Sequence, residues 1–484
     1  MQLSRNLDEN IKEINKILPI KKSFDIIGRG VTFGETKGYI TFVDGFAKDD
    51  IMLWLLDQLQ DLTDAEASID GLQRFIDKHI GYIEVETFQD FDTLQLSVLS
   101  GAVALVLDGQ KDGIIIDART YPARGPEEPD LEKVTRGSRD GLVETVVFNT
   151  ALIRRRVRDA RLIFEMKTVG KRSKTDVSIG YIADMVDDDL LTTLHEKIDR
   201  IQVDALLMAE KSLEELIIKK KWFNPMPQVR FTERPDVVAA HLLEGHIAII
   251  VDTSPSVMLL PTTFFHFTQH SEDYYQNPLV GTYTRWIRFL SIIIATVLSP
   301  LWLMFAENPS YLPDSLAFIG PKEVGNIPIF IQFIILELGL DMLRMASIHT
   351  PNTLSTSLGI IGGLILSQFA VDVGWFIPET ILYMAITGIC TFATPSIEFA
   401  MAIRLFRLFL LLLTGIFGLY GFLAGLIIIL LIIVTTKTFS GIHYTWPLFP
   451  LNAKALSHVM LRKPIIEIKR NSKKFHDVDK LTKK

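Results

Sequence analysis

The sequence predicts an α/β soluble N-terminal half made of two similar subdomains, followed by an α-helical transmembrane domain and a basic C-terminal tail. Three observations predict this fold class. Charge is segregated along the chain, long apolar segments are confined to residues 285–436, and two stretches of the first half recur at a nearly constant offset. We expect the subdomains over residues 1–121 and 122–284, the transmembrane domain over 285–436 and the tail over 437–484.

The charge distribution separates the three parts. Residues 285–436 carry 6 basic and 8 acidic side chains, residues 437–484 carry 11 and 3, and residues 1–284 have a net charge of −13. This order is typical of a membrane protein with a soluble domain, and the tail either contacts an anionic lipid surface or is a solvated terminus. The first residues lack the apolar core of a signal peptide, so we expect a cytoplasmic N-terminal half. Its acidity disfavours nucleic acid as a partner.

Two pairs of similar stretches predict the two subdomains. GYITFVDGF from Gly38 matches GYIADMVDD from Gly180, and both indicate a strand, an acidic turn and a helix. Further along, the stretches from Leu99 and Leu243 both have the alternating aliphatic pattern of a β-hairpin. Because order and spacing are shared, we expect two similar α/β units. The Pro-rich stretch 122–130 is the predicted linker.

A basic helix follows that linker. The run 141–161 predicts a helix with one apolar face and an arginine-rich second half, where cations favour the helix dipole. One interpretation is an interface or a docking surface for an anionic ligand. The favoured one is ion pairing with Glu127, Glu128 and Asp130. The arginines concerned are Arg154, Arg155, Arg156, Arg158 and Arg161.

Five segments approach the roughly 20 residues needed to span a bilayer. They are residues 286–305, 327–346, 358–376, 381–399 and 406–435. The basic residues Arg285 and Arg288 and the basic tail both favour the inside, which requires an even number of crossings. Either the charged segment 327–346 lies in the interface or re-enters, which we favour, or 406–435 bends into a hairpin around its glycines.

Polar residues recur on single faces of three consecutive segments. Such stripes indicate either close helix packing or the wall of an ion path. Three stripes in a row favour the path. The predicted pore-lining residues are Thr356, Gly359, Gly363, Ser367, Thr387, Thr391 and Thr394.

The first of these three segments, residues 327–346, carries intramembrane charges. Glu337, Asp341 and Arg344 share one helical face. Charges at this depth are tolerated when they face protein or water. They belong either to the ion path or to an internal salt bridge, since Asp341 and Arg344 are three residues apart.

Motifs for catalysis and metal binding are missing from the sequence. It has no GxxxxGK[ST] loop, no HExxH and no GxSxG in a strand-to-helix context. The lone Cys390 excludes an intrachain disulfide and a multi-cysteine metal site. His266 and His270 have helical ligand spacing but no companion ligand pattern. We therefore expect no enzymatic activity, no metal and no cofactor.

Four ordered stretches carry a family resemblance: RGSRDGLVETVVFNTALIRRR (136–156), RPDVVAAHLLEGHIAIIVDTSP (234–255), EDYYQNPLVGTYTRWIRFL (272–290) and TFATPS (391–396). With them the chain resembles the GerA-type A-subunit family of bacterial spore germination proteins over roughly residues 25–455. HTPNTLSTSLGIIGG (349–363) is closer to the stage V sporulation protein AF branch, because it lacks the Gln and Ala typical of nutrient-receptor subunits at this helix start.

The resemblance implies a location and a role. It implies a multi-pass protein of the spore inner membrane, with the N-terminal domain on the cytoplasmic, spore-core side. It implies a homo-oligomeric cation channel, expected to be pentameric, that triggers or amplifies ion release in germination. The implied partners are other copies of the chain, the lipid bilayer, other germination membrane proteins and monovalent cations. The alternative is a non-conducting membrane scaffold that organises germination receptor complexes.

Overall fold

A computed structural model describes residues 2–33, 36–46, 57, 85–117, 132–219, 221–323, 325–349 and 370–463. Within these ranges the chain forms two units. The first takes in residues 2–219 and 229–261, and the second takes in 221–228 and 262–463. The helical unit thus begins before the predicted boundary at residue 285, and the described part of the predicted tail belongs to it.

The first unit contains two antiparallel five-stranded sheets. The first sheet has the order β1-β2-β4-β5-β3 and the second has the order β6-β7-β9-β10-β8, which is the same order shifted by five. The strands of the first are β1 (Ile26–Phe33), β2 (Thr36–Val43), β3 (Val85–Phe88), β4 (Val103–Leu107) and β5 (Gly113–Ile116). Those of the second are β6 (Leu162–Val169), β7 (Thr175–Ile182), β8 (Arg230–Thr232), β9 (Ile247–Val251) and β10 (Val257–Leu260).

The similar sequence stretches occupy equivalent places in the two sheets. Gly38 lies in β2 and Gly180 in β7, and each strand pairs with the first strand of the hairpin that follows. Both predicted hairpins are present, as β4–β5 and β9–β10. Every residue of these four strands is buried. Their continuous aliphatic runs therefore form the centres of the two cores.

Six helices accompany these sheets among the described residues. They are α1 (Leu7–Ile17), α2 (Phe91–Leu99), α3 (Val146–Arg156), α4 (Asp188–Asp199), α5 (Ala209–Ile217) and α6 (Pro235–Leu242). Helix α4 follows the acidic turn after β7 as predicted, and Asp187 caps it by accepting from the backbone N–H groups of Asp189 and Leu190.

Helix α3 corrects the prediction for residues 141–161. The helix covers only 146–156, and β6 begins at Leu162. It also lacks a single apolar face, because it lies between two cores. Ala151 packs in the core of the first sheet, whereas Leu152 and Ile153 pack in that of the second. A helix buried on two sides is apolar around most of its surface.

The second unit is helical. Its described helices are α7 (Glu272–Tyr275), α8 (Pro278–Glu307), α9 (Ile329–His349), α10 (Pro378–Phe392), α11 (Ile397–Thr435) and α12 (Ala453–Met460). Of these, α8 and α11 are long and apolar enough to cross a membrane. The predicted segment 381–399 is divided, since α10 ends at Phe392 and α11 begins at Ile397, on either side of Pro395.

Helix α11 is a hairpin of two arms. Gly418 has φ +57° and ψ −134°, a conformation outside the helical region that reverses the chain. A Cβ on Gly425 would lie 3.9 Å from the Cα of Leu410, although fifteen residues of continuous helix would span about 22 Å. Of the two arrangements open from sequence, the structure has the hairpin, and residues 327–346 lie mostly in the 21-residue α9.

The two ends of the helical unit contain different helix termini. We call the end with the start of α8 and both ends of α11 the proximal end, and the opposite end the distal end. At the proximal end Phe264 packs on Phe399 with 5.1 Å between ring centroids, and Arg288 donates to the Thr268 carbonyl. The distal end holds Gly418, where a Cβ would lie 3.8 Å from the Asn308 side chain. The chain enters α8 and leaves α11 at the proximal end.

Candidate functional site

Ionised side chains form a buried network inside the helical unit. Glu337 of α9 is 2% exposed, and Arg407 of α11 binds its carboxylate with two nitrogens, Nη2 lying 3.0 Å from Oε2. Arg404, one turn earlier on α11, donates to the backbone carbonyl of Glu337 at 2.9 Å. It also pairs with Asp341 at 2.6 Å. Two helices are thus joined by two carboxylates and two guanidinium groups.

Arg407 connects four helices. Its Nη1 donates to the Ala295 carbonyl of α8 at 2.8 Å and to the Thr391 hydroxyl of α10 at 3.0 Å. With Glu337 on α9, one guanidinium contacts three helices besides its own. The five N–H donors of arginine in a fixed plane suit it to such a junction, where lysine could not replace it.

The network is electrically neutral within itself. Burying an unpaired charge costs several kcal/mol, roughly 3–5 when one partner of an existing buried pair is removed. Here Glu337 and Asp341 balance Arg404 and Arg407. This arrangement lets ionised groups lie within an apolar helix bundle, and it fixes the register of α9 against α11.

The predicted intramembrane charges take different partners from those expected. Asp341 pairs with Arg404, a partner that the sequence did not suggest, and Arg344 lies against Met401. Only Glu337 of the three is deeply buried, and the Asp341 side chain is 39% exposed at the rim of the network.

Sequence reasoning missed Arg404 and Arg407 as site residues. The available signal was their spacing: the arginines are three residues apart in an apolar segment, and Glu337 and Asp341 are four apart in another. Charges with matched spacing on two antiparallel helices can meet as two pairs. Recognising this would have required knowing that the two segments are neighbours.

The described threonines of the predicted pore wall face other helices of the same chain. The hydroxyls of Thr387 and Ser299 lie 2.8 Å apart, and Thr391 accepts from Arg407. Thr394 is 8% exposed. A water-filled path along these residues would require the contacts with α8 and α11 to rearrange. Their role in lining a pore stays a prediction.

The other predicted pore-lining residues lie outside the described residues. These are Thr356, Gly359, Gly363 and Ser367. The proposed ion-pair partners Glu127, Glu128 and Asp130 also lie outside them.

The predicted arginine cluster is dispersed among several acidic partners. Arg156 pairs with Asp140 at 2.7 Å, and Arg161 pairs with Asp159 and Asp184. The ion pair with Arg161 lowers the pKa of Asp159, chiefly because the Arg161 side chain donates a hydrogen bond to the Asp159 carboxylate. The exposed members are Arg155, Arg158 and Arg161, and Arg158 donates to the Ser100 hydroxyl at 3.3 Å.

Arg154 is the buried member of that cluster and has a distinct role. Its Nε and Nη2 donate to the Asp25 carboxylate at 2.9 and 3.1 Å, and its guanidinium lies over the Phe164 ring. Ser23 accepts from the backbone N–H of Phe164, on the first strand of the second sheet. The residues before β1 are thus attached to β6 by the Ser23 hydrogen bond and to α3 by a bidentate, fully buried ion pair.

No group of three or more histidine, cysteine, aspartate or glutamate side chains is placed to hold a metal ion within the described ranges. His266 instead accepts from the Thr263 backbone N–H in a helix-capping arrangement.

Comparison with known sequences gives consistent matches over nearly the whole chain. Residues 12–474 match the family described as Bacillus/Clostridium GerA spore germination protein. The chain is 42% identical to stage V sporulation protein AF of Bacillus subtilis (strain 168), over 96% of this chain and 93% of that protein. It is 31% identical to spore germination protein GerLA of Bacillus cereus, over 96% and 94%. The predicted resemblance is confirmed.

Two further similarities were found. The uncharacterized membrane protein YfkQ of Bacillus subtilis (strain 168) is 31% identical, over 96% of this chain and 90% of that protein. Among solved structures, the N-terminal domain of the A subunit of the Bacillus megaterium spore germinant receptor GerK3 matches 55% of this chain and 98% of its own. The identity there is 25% and the TM-score is 0.42.

Proposed function

Because the chain belongs to the Bacillus/Clostridium GerA family of spore germination proteins, we propose that it is a subunit of a cation channel in the spore inner membrane. In this proposal several copies, five in the simplest case, surround a central path for monovalent cations. The channel triggers or amplifies ion release during germination, together with other germination membrane proteins.

The buried charge network within an apolar bundle carries the membrane part of this proposal. The charges of Arg407 and Glu337 are compensated inside the bundle, while the outer surface of α11 is apolar. Ile416, Phe417 and Tyr420 are 61–81% exposed near its tip. Large exposed apolar surfaces mark contact with lipid or protein, and polar groups at membrane depth face the protein interior. The second unit fits a bilayer better than water.

The distribution of charge between the two ends supports a cytoplasmic proximal end. Basic residues flank that end, among them Arg285, Arg288 and Lys437. The described distal loops and adjoining helix ends hold a single lysine, Lys322, and several acidic residues: Glu307, Asp314, Glu323, Asp372 and Glu379. Cytoplasmic loops carry the excess of Lys and Arg. The N-terminal unit, with its net negative charge, would then attract cations on the spore-core side.

Conductance of the full chain in a planar bilayer tests the channel. The variant is Ser367→Phe, on the predicted polar stripe. Its matched control is Ile365→Phe, which would add a ring on another face of the helix that the sequence predicts for this segment. We expect a cation-selective current that Ser367→Phe reduces and Ile365→Phe leaves unchanged. Equal currents from both variants would contradict the pore assignment. An assembled oligomer that conducts no current would contradict the proposal that the chain forms a channel.

A non-conducting scaffold that organises germination complexes is the second candidate. One observation favours it: the hydroxyls of Thr387 and Thr391 take part in helix packing within one chain. On this interpretation the polar stripes hold the bundle together. Variants of the stripe would then lower stability and assembly to the same degree, with no current to lose.

A further inference from the structure

Aromatic and apolar side chains form an outward-facing row at the start of α8. Residues at helical spacing are all exposed, and Tyr283 and Trp286 are 63% and 53% exposed. Aromatic side chains of this kind concentrate at the level of the headgroups in membrane proteins. The row consists of Leu279, Tyr283, Trp286, Leu290 and Ile293.

The helix α12 is fastened beside this row. Arg285, itself 3% exposed, donates from Nη1 to the carbonyls of His458 and Val459, both at 3.1 Å. Trp286 donates from Nε1 to the Met460 carbonyl at 3.1 Å. These bonds satisfy three carbonyls at the C-terminal end of α12. The short helix therefore has a fixed place next to the aromatic row.

Three cations lie in this helix or just after its end: Lys454, Arg462 and Lys463. Among the described residues no carboxylate forms a salt bridge with any of them, and Lys463 contacts only a hydroxyl, that of Ser457. The pKa of His458 is lowered by burial and then by the charges of Lys463 and Lys454. Within the described ranges, this positive potential is therefore not balanced by a paired carboxylate.

The carboxylate of Asp273, which lies in α7 and precedes α8, is engaged by two arginines. Asp273 lies 2.9 Å from Arg288 and 3.4 Å from Arg285. Burial acts to raise its pKa, but the hydrogen bond and charge of Arg288 and the charge of Arg285 hold it below its ordinary value. Asp273 therefore stays ionised and balances these two arginines, and within the described part of the chain it forms no ion pair with the three cations at α12.

We propose that α12 and the start of α8 bind the headgroup of an anionic phospholipid at the proximal leaflet, with the phosphate against Lys454, Arg462 and Lys463. This inference rests on the membrane location in the proposed function, and it adds the lipid class and the residues.

A lipid matches both halves of this surface. Exposed Leu448, Phe449 and Leu451 lie just before α12, and Trp286 lies beside it. An acyl chain covers such apolar side chains, while the phosphate meets the cations. A free phosphate would satisfy only the cations. An amphipathic segment with basic and aromatic residues is suited to lie in the interface.

The test uses the full chain reconstituted in vesicles of phosphatidylcholine with phosphatidylglycerol. Tryptophan quenching by brominated phosphatidylglycerol is compared with quenching by brominated phosphatidylcholine, and Trp286→Phe identifies the local signal. A cation near an anionic surface contributes roughly fivefold in binding. We expect Lys454→Gln and Lys463→Gln each to reduce the preference for phosphatidylglycerol by about that factor. Lys322→Gln, at the distal end, is the matched control.

The outcomes separate this inference from the proposed function. An unchanged preference in Lys454→Gln and Lys463→Gln, with the protein inserted in the vesicles, would overturn the lipid site alone. Relief of quenching by inorganic phosphate would also overturn it, since the site would then bind free anions. Failure of the folded chain to float with vesicles would instead contradict the membrane location itself.

Discussion

Removing Arg407 should be the most damaging single change to the helical unit. Arg407→Met keeps a side chain of similar length but leaves Glu337, 2% exposed, with Arg404 as its remaining cation. Loss of one partner from a buried pair costs roughly 3–5 kcal/mol. The variant also loses hydrogen bonds to Ala295 and Thr391.

A double-mutant cycle isolates the pair. In Glu337→Gln with Arg407→Met both charges are absent, so no uncompensated charge remains between them. We expect the double variant to lose less stability than the two single variants together, with a coupling free energy of about 2–3 kcal/mol. Asp341→Asn is the matched control. Its pair with Arg404 is partly exposed and should contribute about 1 kcal/mol or less.

The free energy of unfolding would be measured for the full chain in detergent micelles, by denaturant titration followed by circular dichroism. Size-exclusion chromatography would check that each variant keeps the same assembly. Strict additivity of the two single changes would refute the reasoning. So would an Arg407→Met protein as stable as the control.

Three further predictions concern other parts of the chain. Burial lowers the pKa of His246 to about 4, so on acidification the unfolded chain is protonated at this residue before the folded chain is. The free energy of unfolding should therefore fall by about 3 kcal/mol from pH 6.5 to 4. His246→Gln should make this fall smaller, as measured by hydrogen exchange of β9 peptides. Gly421→Ala should destabilise the hairpin by about 1–3 kcal/mol, because the added Cβ would meet a backbone carbonyl of the opposite arm. The control Gly339→Ala adds a Cβ in open space and should be neutral or stabilising. Equal melting temperatures for the two variants would contradict this prediction. Arg154→Met should lower the free energy of unfolding by roughly 3–5 kcal/mol, because it leaves Asp25 buried and unpaired. Adding Asp25→Asn should recover part of that loss. A first unit that resists limited proteolysis in the single variant as well as in the unmodified chain would contradict the stabilising role of this ion pair.

The strand pairs show what local sequence was able to predict. The hairpins β4–β5 and β9–β10 follow from alternating aliphatic residues around a tight turn, because the signal and the contact lie within twenty residues. The repetition of such stretches at one offset indicated two similar units. Helix α3 was placed correctly but extended too far, since its burial on two sides removes the periodicity that marks a boundary.

The amino-acid sequence by itself indicated an acidic α/β half followed by an apolar helical part, because charge and hydropathy are properties of each segment alone. It did not show that the described part of the basic C-terminal stretch belongs to the helical unit. Tertiary structure alone decided which charges meet. Glu337 and Arg407 are seventy residues apart, and their contact depends on α9 packing antiparallel to the first arm of α11. The reversal at Gly418 was likewise one of two options in the sequence. It is fixed by the close approach of the two arms, a contact that the apolar pattern along the segment does not specify.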